Sequence, residues 1–337
     1  MKPFWSLLAL SIGLNAWAAA PIIPAEPASY DDFPYSRVVI DGMESLDAKR
    51  LRRSLNTVFN VTYAHKSGRD LKLHIIRPVL REALGEKAAT TTFPIIVYVQ
   101  GSAWFKQDLG LSMAQLSRFA ERGYVVAMVE YRPSPVAPFP AQVEDTKSAI
   151  HFIAEHAEEY YGDANNIIVW GDSSGGHTAA MVGATLDTRD FDDVSKSAIK
   201  LKAVIDYYGP TALDQMNEEP STYDHIQANS PEGMLLGGVN VLNNRDKAKL
   251  ASPMHYISAN EDMPPFLILH GDKDRLVPFG QSVKLFARLQ QDGHQARLIR
   301  LHGADHGRAP FWQDEVLNIV DQFIQEALAT GPRGAQG

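Results

Sequence analysis

The sequence predicts an α/β fold, a mainly parallel, twisted sheet carrying helices on both faces. Three observations lead there. From about residue 95 onward, short β-branched runs alternate with helix-length segments, the rhythm a parallel sheet needs because each parallel strand is reached by a crossover. Two of those runs end in loops rich in Gly, Asp and His, and a third in a Gly/Ser turn, where an open parallel sheet places its chemistry. The 337 residues are 45% hydrophobic with no cysteine, no internal repeat and no second block of distinct composition, so one core without disulfides is expected.

Lys2, the short apolar run 4–14 and Ala16-Trp17-Ala18 form a basic start, an apolar middle and an Ala-x-Ala end. That pattern predicts a signal peptide over 1–18, cut after Ala18, since a cut after Ala20 would leave Pro21 at the new terminus. The apolar run is shorter than the roughly 20 residues of a membrane span. The mature protein is therefore expected to be secreted or periplasmic, with no membrane span and, lacking cysteine, no lipid attachment site. Residues 19–56 read as an N-terminal extension, Pro-rich to about Tyr35, with a charged helix over 46–55.

The main domain is expected over 57–330, followed by a flexible tail at 331–337. Runs 57–63 and 71–77 flank Lys66-Ser67-Gly68-Arg69 and predict an antiparallel hairpin. Strands follow at 95–99, 124–129, 167–170, 203–207, 265–269 and 296–301. Helices are expected at 111–122, 141–160, from about 174, at 281–291 and at 312–328. Between 211 and 253 the alternation lapses into sequence containing Met216, Pro220, Met234, Gly237 and Gly238. In this fold class such a stretch is either a lid or a surface excursion.

Thirty-two Lys+Arg stand against 40 Asp+Glu. No basic patch forms the footprint of a nucleic-acid partner, and the acidic balance reads as solvation. His65, His74, His225, His255 and His294 lack the spacing of metal ligands, so no metal site is expected.

The chemistry concentrates at Gly171-Asp172-Ser173-Ser174-Gly175, between a strand and a helix. Strand, Gly-x-Ser-x-Gly turn and helix make a nucleophile elbow. The turn strains the serine backbone and lifts its hydroxyl above the sheet, while the glycines let neighbouring backbone pass close. The helix start turns free N–H groups and a positive dipole end toward an oxyanion forming there. Such a serine needs a base, and the base an orienting acid, in the order Ser, Asp/Glu, His.

The strand at 265–269 ends in His270-Gly271-Asp272-Lys273-Asp274, and the last strand ends in His302-Gly303-Ala304-Asp305-His306. Parallel strands deliver these ends to one edge, so Ser173, an Asp of the 272–274 turn and a His of the 302–306 turn should converge. The Ser174 N–H is one oxyanion donor by position. The loop Gln100-Gly101-Ser102-Ala103-Trp104 offers the Ser102 and Ala103 N–H groups as the second and third, each worth ~3 kcal/mol in the transition state. Trp104, Phe105, Phe311 and Trp312 flank these loops and either line an aromatic acyl or sugar site or simply pack. His177 is expected to pack or hydrogen-bond, and Arg132 with Asp145 to form a structural ion pair.

The chain resembles the hormone-sensitive-lipase-like α/β-hydrolases, and more narrowly the acetyl-xylan and feruloyl-esterase-type bacterial carboxylesterases. The matching pieces are Glu130-Tyr131-Arg132, Ala137 to Gln142, Val169 to His177, Asp206 to Thr211, His270 to Pro278 and Gly303 to Gly307, in family order from about residue 57 to 325. The resemblance implies an α/β-hydrolase fold with Ser173 as nucleophile, His306 as base and Asp274 as the orienting acid, needing no cofactor. It implies short-chain acyl or aromatic esters as substrates, either small molecules or plant polysaccharide. An amidase or peptidase with the same three residues, and a non-catalytic binding protein on this scaffold, are the alternatives. Where the family usually has His-Gly-Gly-Gly, this chain has Gln100-Gly101-Ser102-Ala103. Gln100 can anchor the loop through its amide. The Cβ atoms of Ser102 and Ala103 predict a tighter site that disfavours esters of bulky tertiary alcohols.

Overall fold

The computed structural model describes residues 33–46, 54–79, 91–186, 191, 199–258 and 263–329. The expected leader, the tail and residues 47–53 of the expected 46–55 helix lie outside these, and Leu55 opens a strand instead. Strand β1 (Leu55–Lys66) pairs antiparallel with β2 (Arg69–Pro78) around the anticipated Gly turn. Then come β3 (Phe93–Val99), α1 (Met113–Arg122), β4 (Val125–Val129), α2 (Ala141–Glu155), β5 (Gly162–Asp172), α3 (Ser174–Thr185) and β6 (Leu201–Tyr207). Two short helices, α4 (Pro231–Leu235) and α5 (Arg245–Leu250), occupy the stretch where the alternation lapses. The chain closes with β7 (Phe266–Gly271), α6 (Gly280–Gln291), β8 (Ala296–Leu301) and α7 (Asp314–Ala329).

Three helices are shorter than expected, α1 starting at Met113 instead of Leu111. α2 stops at Glu155 because His156 leaves helical geometry, and Ala157–Tyr160 forms a separate 3-10 turn. α7 begins at Asp314, after a 3-10 turn over Ala309–Trp312.

The sheet order is β1-β2-β4-β3-β5-β6-β7-β8, parallel from β4 to β8 with the hairpin antiparallel at one side. Side chains alternate between two cores with the period of a strand. Ile96 and Tyr98 of β3 and Ile168 and Trp170 of β5 pack with α1 and α7. Ile95 and Val97 pack on the other face with α2 and α3, and Val169 packs with α3 and α6. From β3 the chain steps outward to β4 by way of α1, then returns past β3 to β5 by way of α2 on the opposite face. Strand order therefore reverses between β3 and β5, and a crevice at such a switch point is where open α/β sheets bind ligands. The loop after β3 begins at Gln100, and the one after β5 holds Ser173. No helix among the described residues is long and apolar enough to cross a membrane.

Candidate active site

The elbow is built from backbone that tolerates no extra atoms. Ser173 adopts φ 53° and ψ −125°, a left-handed conformation that non-glycine residues hold only when surroundings impose it. A Cβ on Gly171 would stand 2.0 Å from the Gly175 carbonyl oxygen, and one on Gly175 would stand 1.9 Å from the Val99 oxygen. The Ser173 N–H donates to the Tyr207 carbonyl at 2.8 Å, tying the turn to β6. The serine is thus fixed at the switch point by strands on both sides.

His306, from the loop after β8, brings Nε2 to 2.9 Å from Ser173 Oγ. Its Nδ1 lies 2.6 Å from Asp274 Oδ2. The Asp274 side chain is fully buried, and its other oxygen accepts the Leu276 and Val277 N–H groups at 2.8 and 2.9 Å. His270 Nε2 stands 3.1 Å from Oδ2. Burial alone would raise this carboxyl, but hydrogen bonds and charge from His270 and His306 overcome it and hold Asp274 at about 2. A permanently charged acceptor at Nδ1 puts the imidazole proton there and leaves Nε2 free to take the serine proton.

The competing residues of both turns face elsewhere. Asp272 pairs with His302 at 2.7 Å, and the His302 side chain is 85% exposed. Asp305 accepts the Arg275 guanidinium Nε at 2.7 Å.

The oxyanion loop is held from below. Asp172, inside the elbow, accepts the Tyr98 hydroxyl at 2.6 Å and the Gly101 N–H at 2.9 Å. Burial pushes its carboxyl up, against the pull of those two donors. Ser102 Oγ donates to the Phe105 carbonyl and lies 2.9 Å from the Tyr131 hydroxyl.

Two expectations need correcting here. The Ser102 N–H is spent on Ser174 Oγ at 2.9 Å, so it is not an open oxyanion donor. The Gln100 amide oxygen is buried without a partner, so Asp172, Ser174 and Tyr131 anchor the loop in its place. Ala103 takes φ 53°, and its N–H has no acceptor among the described residues. Ser174, first residue of α3, has no intrahelical acceptor for its own N–H. Of the three expected donors, Ala103 and Ser174 keep N–H groups without an acceptor among the described residues.

Of the four aromatics, Trp104 and Phe311 are buried and cannot line an open site. Trp104 donates its indole N–H to His177 Nδ1 at 3.1 Å, and His177 Nε2 lies 2.7 Å from the Ala251 carbonyl. His177 thereby links α3 and the oxyanion loop to the segment after α5, and its burial lowers it to about 4. Phe311 packs on Tyr207 and Tyr208. Trp312 is half-buried, stacked on Trp170, while Phe105 stays half-buried in the oxyanion loop. Arg132 and Asp145 form the expected ion pair at 2.8 Å.

Sequence reasoning missed Tyr208. Its ring packs edge-on against His306 with centroids 4.6 Å apart, and its backbone is left-handed at φ 45°. Its place just after β6, at the same rim as Ser173, was the available signal.

A family model described as BD-FAE matches residues 84–289. Esterase LipQ of Mycobacterium tuberculosis is 30% identical over 241 residues, which cover 68% of this chain and 55% of LipQ. The chain spans about half the length of the curated relatives it matches. Among solved structures, a truncated form of a carbohydrate esterase from gut microbiota superposes with a TM-score of 0.72 at 27% identity, covering 84% of this chain and 99% of that one. A bifunctional GH43-CE protein of Bacteroides eggerthii gives a TM-score of 0.68 at 29% identity, covering 80% and 38%.

Proposed function

This chain belongs to the BD-FAE family, and from that footing we propose that it is a serine carboxylic-ester hydrolase. The carrying observation is the continuous line from Ser173 Oγ through His306 to Asp274, at 2.9 and 2.6 Å, on a strained elbow. His306 Nε2 takes the hydroxyl proton as Ser173 Oγ attacks the ester carbonyl carbon. The tetrahedral oxygen is held by the Ala103 and Ser174 N–H groups, and Asp274 stabilises the imidazolium. His306 passes its proton to the departing alkoxide, leaving an acyl-enzyme. Water then attacks the acyl carbon, giving its proton to His306, and collapse returns that proton to Ser173.

Short-chain acyl or aromatic esters, of the acetyl or feruloyl kind, are the proposed substrates, including those borne on plant polysaccharide. Similarity to a carbohydrate esterase supports the carbohydrate part of that reading. The Cβ atoms at Ser102 and Ala103 support a narrow site, so ethyl acetate should turn over faster than tert-butyl acetate. The residues of the 1–18 segment support export, which N-terminal sequencing of exported protein beginning at Ala19 would bear out.

Ser173→Ala is expected to abolish turnover of p-nitrophenyl acetate, and labelling by a fluorophosphonate probe, while circular dichroism stays unchanged. Turnover retained above contaminant level would sink the assignment. Matched ester and amide substrates, acetylated xylan and methyl ferulate, assayed side by side, decide between bond types and acyl groups.

A further inference from the structure

A second Ser-His-acid line lies outside this site, between β6 and β7. Ser221 Oγ stands 3.0 Å from His225 Nε2, and His225 Nδ1 stands 2.9 Å from Glu232 Oε1. The His225 and Glu232 side chains are 5% and 3% exposed. A second nucleophile is the tempting reading, and counting protons removes it. His225 Nε2 also lies 2.9 Å from the Leu276 carbonyl, which has no proton to give. That contact requires a proton on Nε2, and a protonated Nε2 cannot act as base for Ser221. The Ser221 hydroxyl itself lies 2.8 Å from the same carbonyl. The short contact at Nδ1 requires a second proton. The pair therefore holds two, and because imidazole is the stronger base of the two groups, both rest on the ring, as an imidazolium facing a carboxylate.

The peptides it grips are those that hold the acid of the main site. The Leu276 carbonyl belongs to the same peptide plane as the Val277 N–H, which donates to Asp274 Oδ1 at 2.9 Å. The Arg275 carbonyl shares its plane with the Leu276 N–H, which donates to the same oxygen at 2.8 Å. That Arg275 carbonyl accepts the Thr222 N–H at 2.8 Å and the Thr222 hydroxyl at 2.9 Å. Both planes are thus held on their carbonyl side by residues 221–225 and present their N–H side to Asp274. A carbonyl bonded to a cation polarises its peptide and strengthens the N–H as a donor.

We propose that His225 and Glu232 are positioning residues, a buried charged pair that fixes the Asp274 carboxylate through the Leu276–Val277 peptide. This rests on the esterase reading above. The groups facing His225 are Glu232, Asp224, Ser221 and the Tyr223 ring from its own segment, and the Leu276 carbonyl from the turn after β7. Burial works against the imidazolium, and Glu232 outweighs it, lifting His225 above its ordinary value. The grip is therefore whole at acid and neutral pH and is lost as pH rises through that raised value, when Nε2 and the Leu276 oxygen become two facing lone pairs.

The test follows kcat and KM for p-nitrophenyl acetate against pH in the full chain and in Glu232→Gln. Without the carboxylate the neutral ring keeps its one proton on Nε2, facing the Leu276 carbonyl, so the alkaline fall of kcat, about tenfold in the unsubstituted protein, should disappear, with KM within about twofold and the acid limb unmoved. An equal loss at every pH, or an unmoved alkaline limb, overturns the proposal. Nitrogen-15 histidine NMR on the unsubstituted protein gives an answer even if the variant fails to fold. Both His225 ring nitrogens should be protonated at neutral pH, with the signal identified by its shift in Ser221→Ala, and a bare Nε2 overturns the proposal. Fluorophosphonate labelling of the unsubstituted protein is scored alongside. An unlabelled protein defeats the esterase reading, while the NMR result still decides the charge of the pair.

Discussion

Two aspartate–histidine pairs hang from the ends of β7 and β8, at nearly equal distances. Asp274 meets His306 at 2.6 Å, and Asp272 meets His302 at 2.7 Å. The first pair sits with its carboxylate fully buried, the second with its imidazole 85% exposed. Length does not separate them; surroundings do. In the buried pair the carboxylate's field reaches the imidazole with little screening, and backbone donors have already fixed its orientation. In the exposed pair, water and salt screen the same attraction. An Asp–His contact becomes catalytic machinery only when its environment makes the charge count and a nucleophile lies on the far side of the ring.

That contrast can be broken most severely at Asp274. Asp274→Asn should lower kcat for p-nitrophenyl acetate about 10⁴-fold, because an amide can accept or donate and no longer dictates the proton on His306 Nδ1. A loss below about tenfold would mean that His306 is oriented by something else.

A smaller effect is expected on stability. Asp274 is held near 2 in the folded protein, below its unfolded value, so its contribution is complete above about 4 and disappears as pH falls through about 2. Urea unfolding across that window should show a slope that Asp274→Asn removes. His177, lowered to about 4 by burial, contributes in the same sense between its unfolded value of about 6.5 and about 4. His177→Gln should flatten that second window. The smallest effect belongs to the exposed pair, where Asp272→Asn and His302→Ala should each leave kcat within about twofold.

Much of the architecture was legible because it follows from local pattern. The β-branched runs, the Gly68 turn and the glycines of the elbow report their own backbone requirements, and the strands fall where those patterns place them. The choice of Asp274 over Asp272 came from family resemblance alone. Physically it depends on which carboxylate the Leu276 and Val277 N–H groups face, a detail of turn geometry that composition does not carry. The same holds at the oxyanion loop, where the Ser102 N–H meets Ser174 Oγ across 72 residues of sequence. Trp104 looked available because it follows a catalytic loop, yet Leu213, Leu235, Leu236, Val241, Ala248 and Ala251 cover it from the region between β6 and β7. Long-range packing of that kind leaves no periodic trace.

The placement of His306 has a consequence for how activity should be lost. Ser173 and Asp274 follow β5 and β7, each flanked by strands on both sides, whereas His306 follows β8, whose only neighbour among the described residues is β7. The outermost strand of a sheet frays first, at a free energy below that of global unfolding. Under mild denaturant, turnover should therefore vanish while the far-ultraviolet signal remains native, so that inactivation and denaturation become two separate transitions.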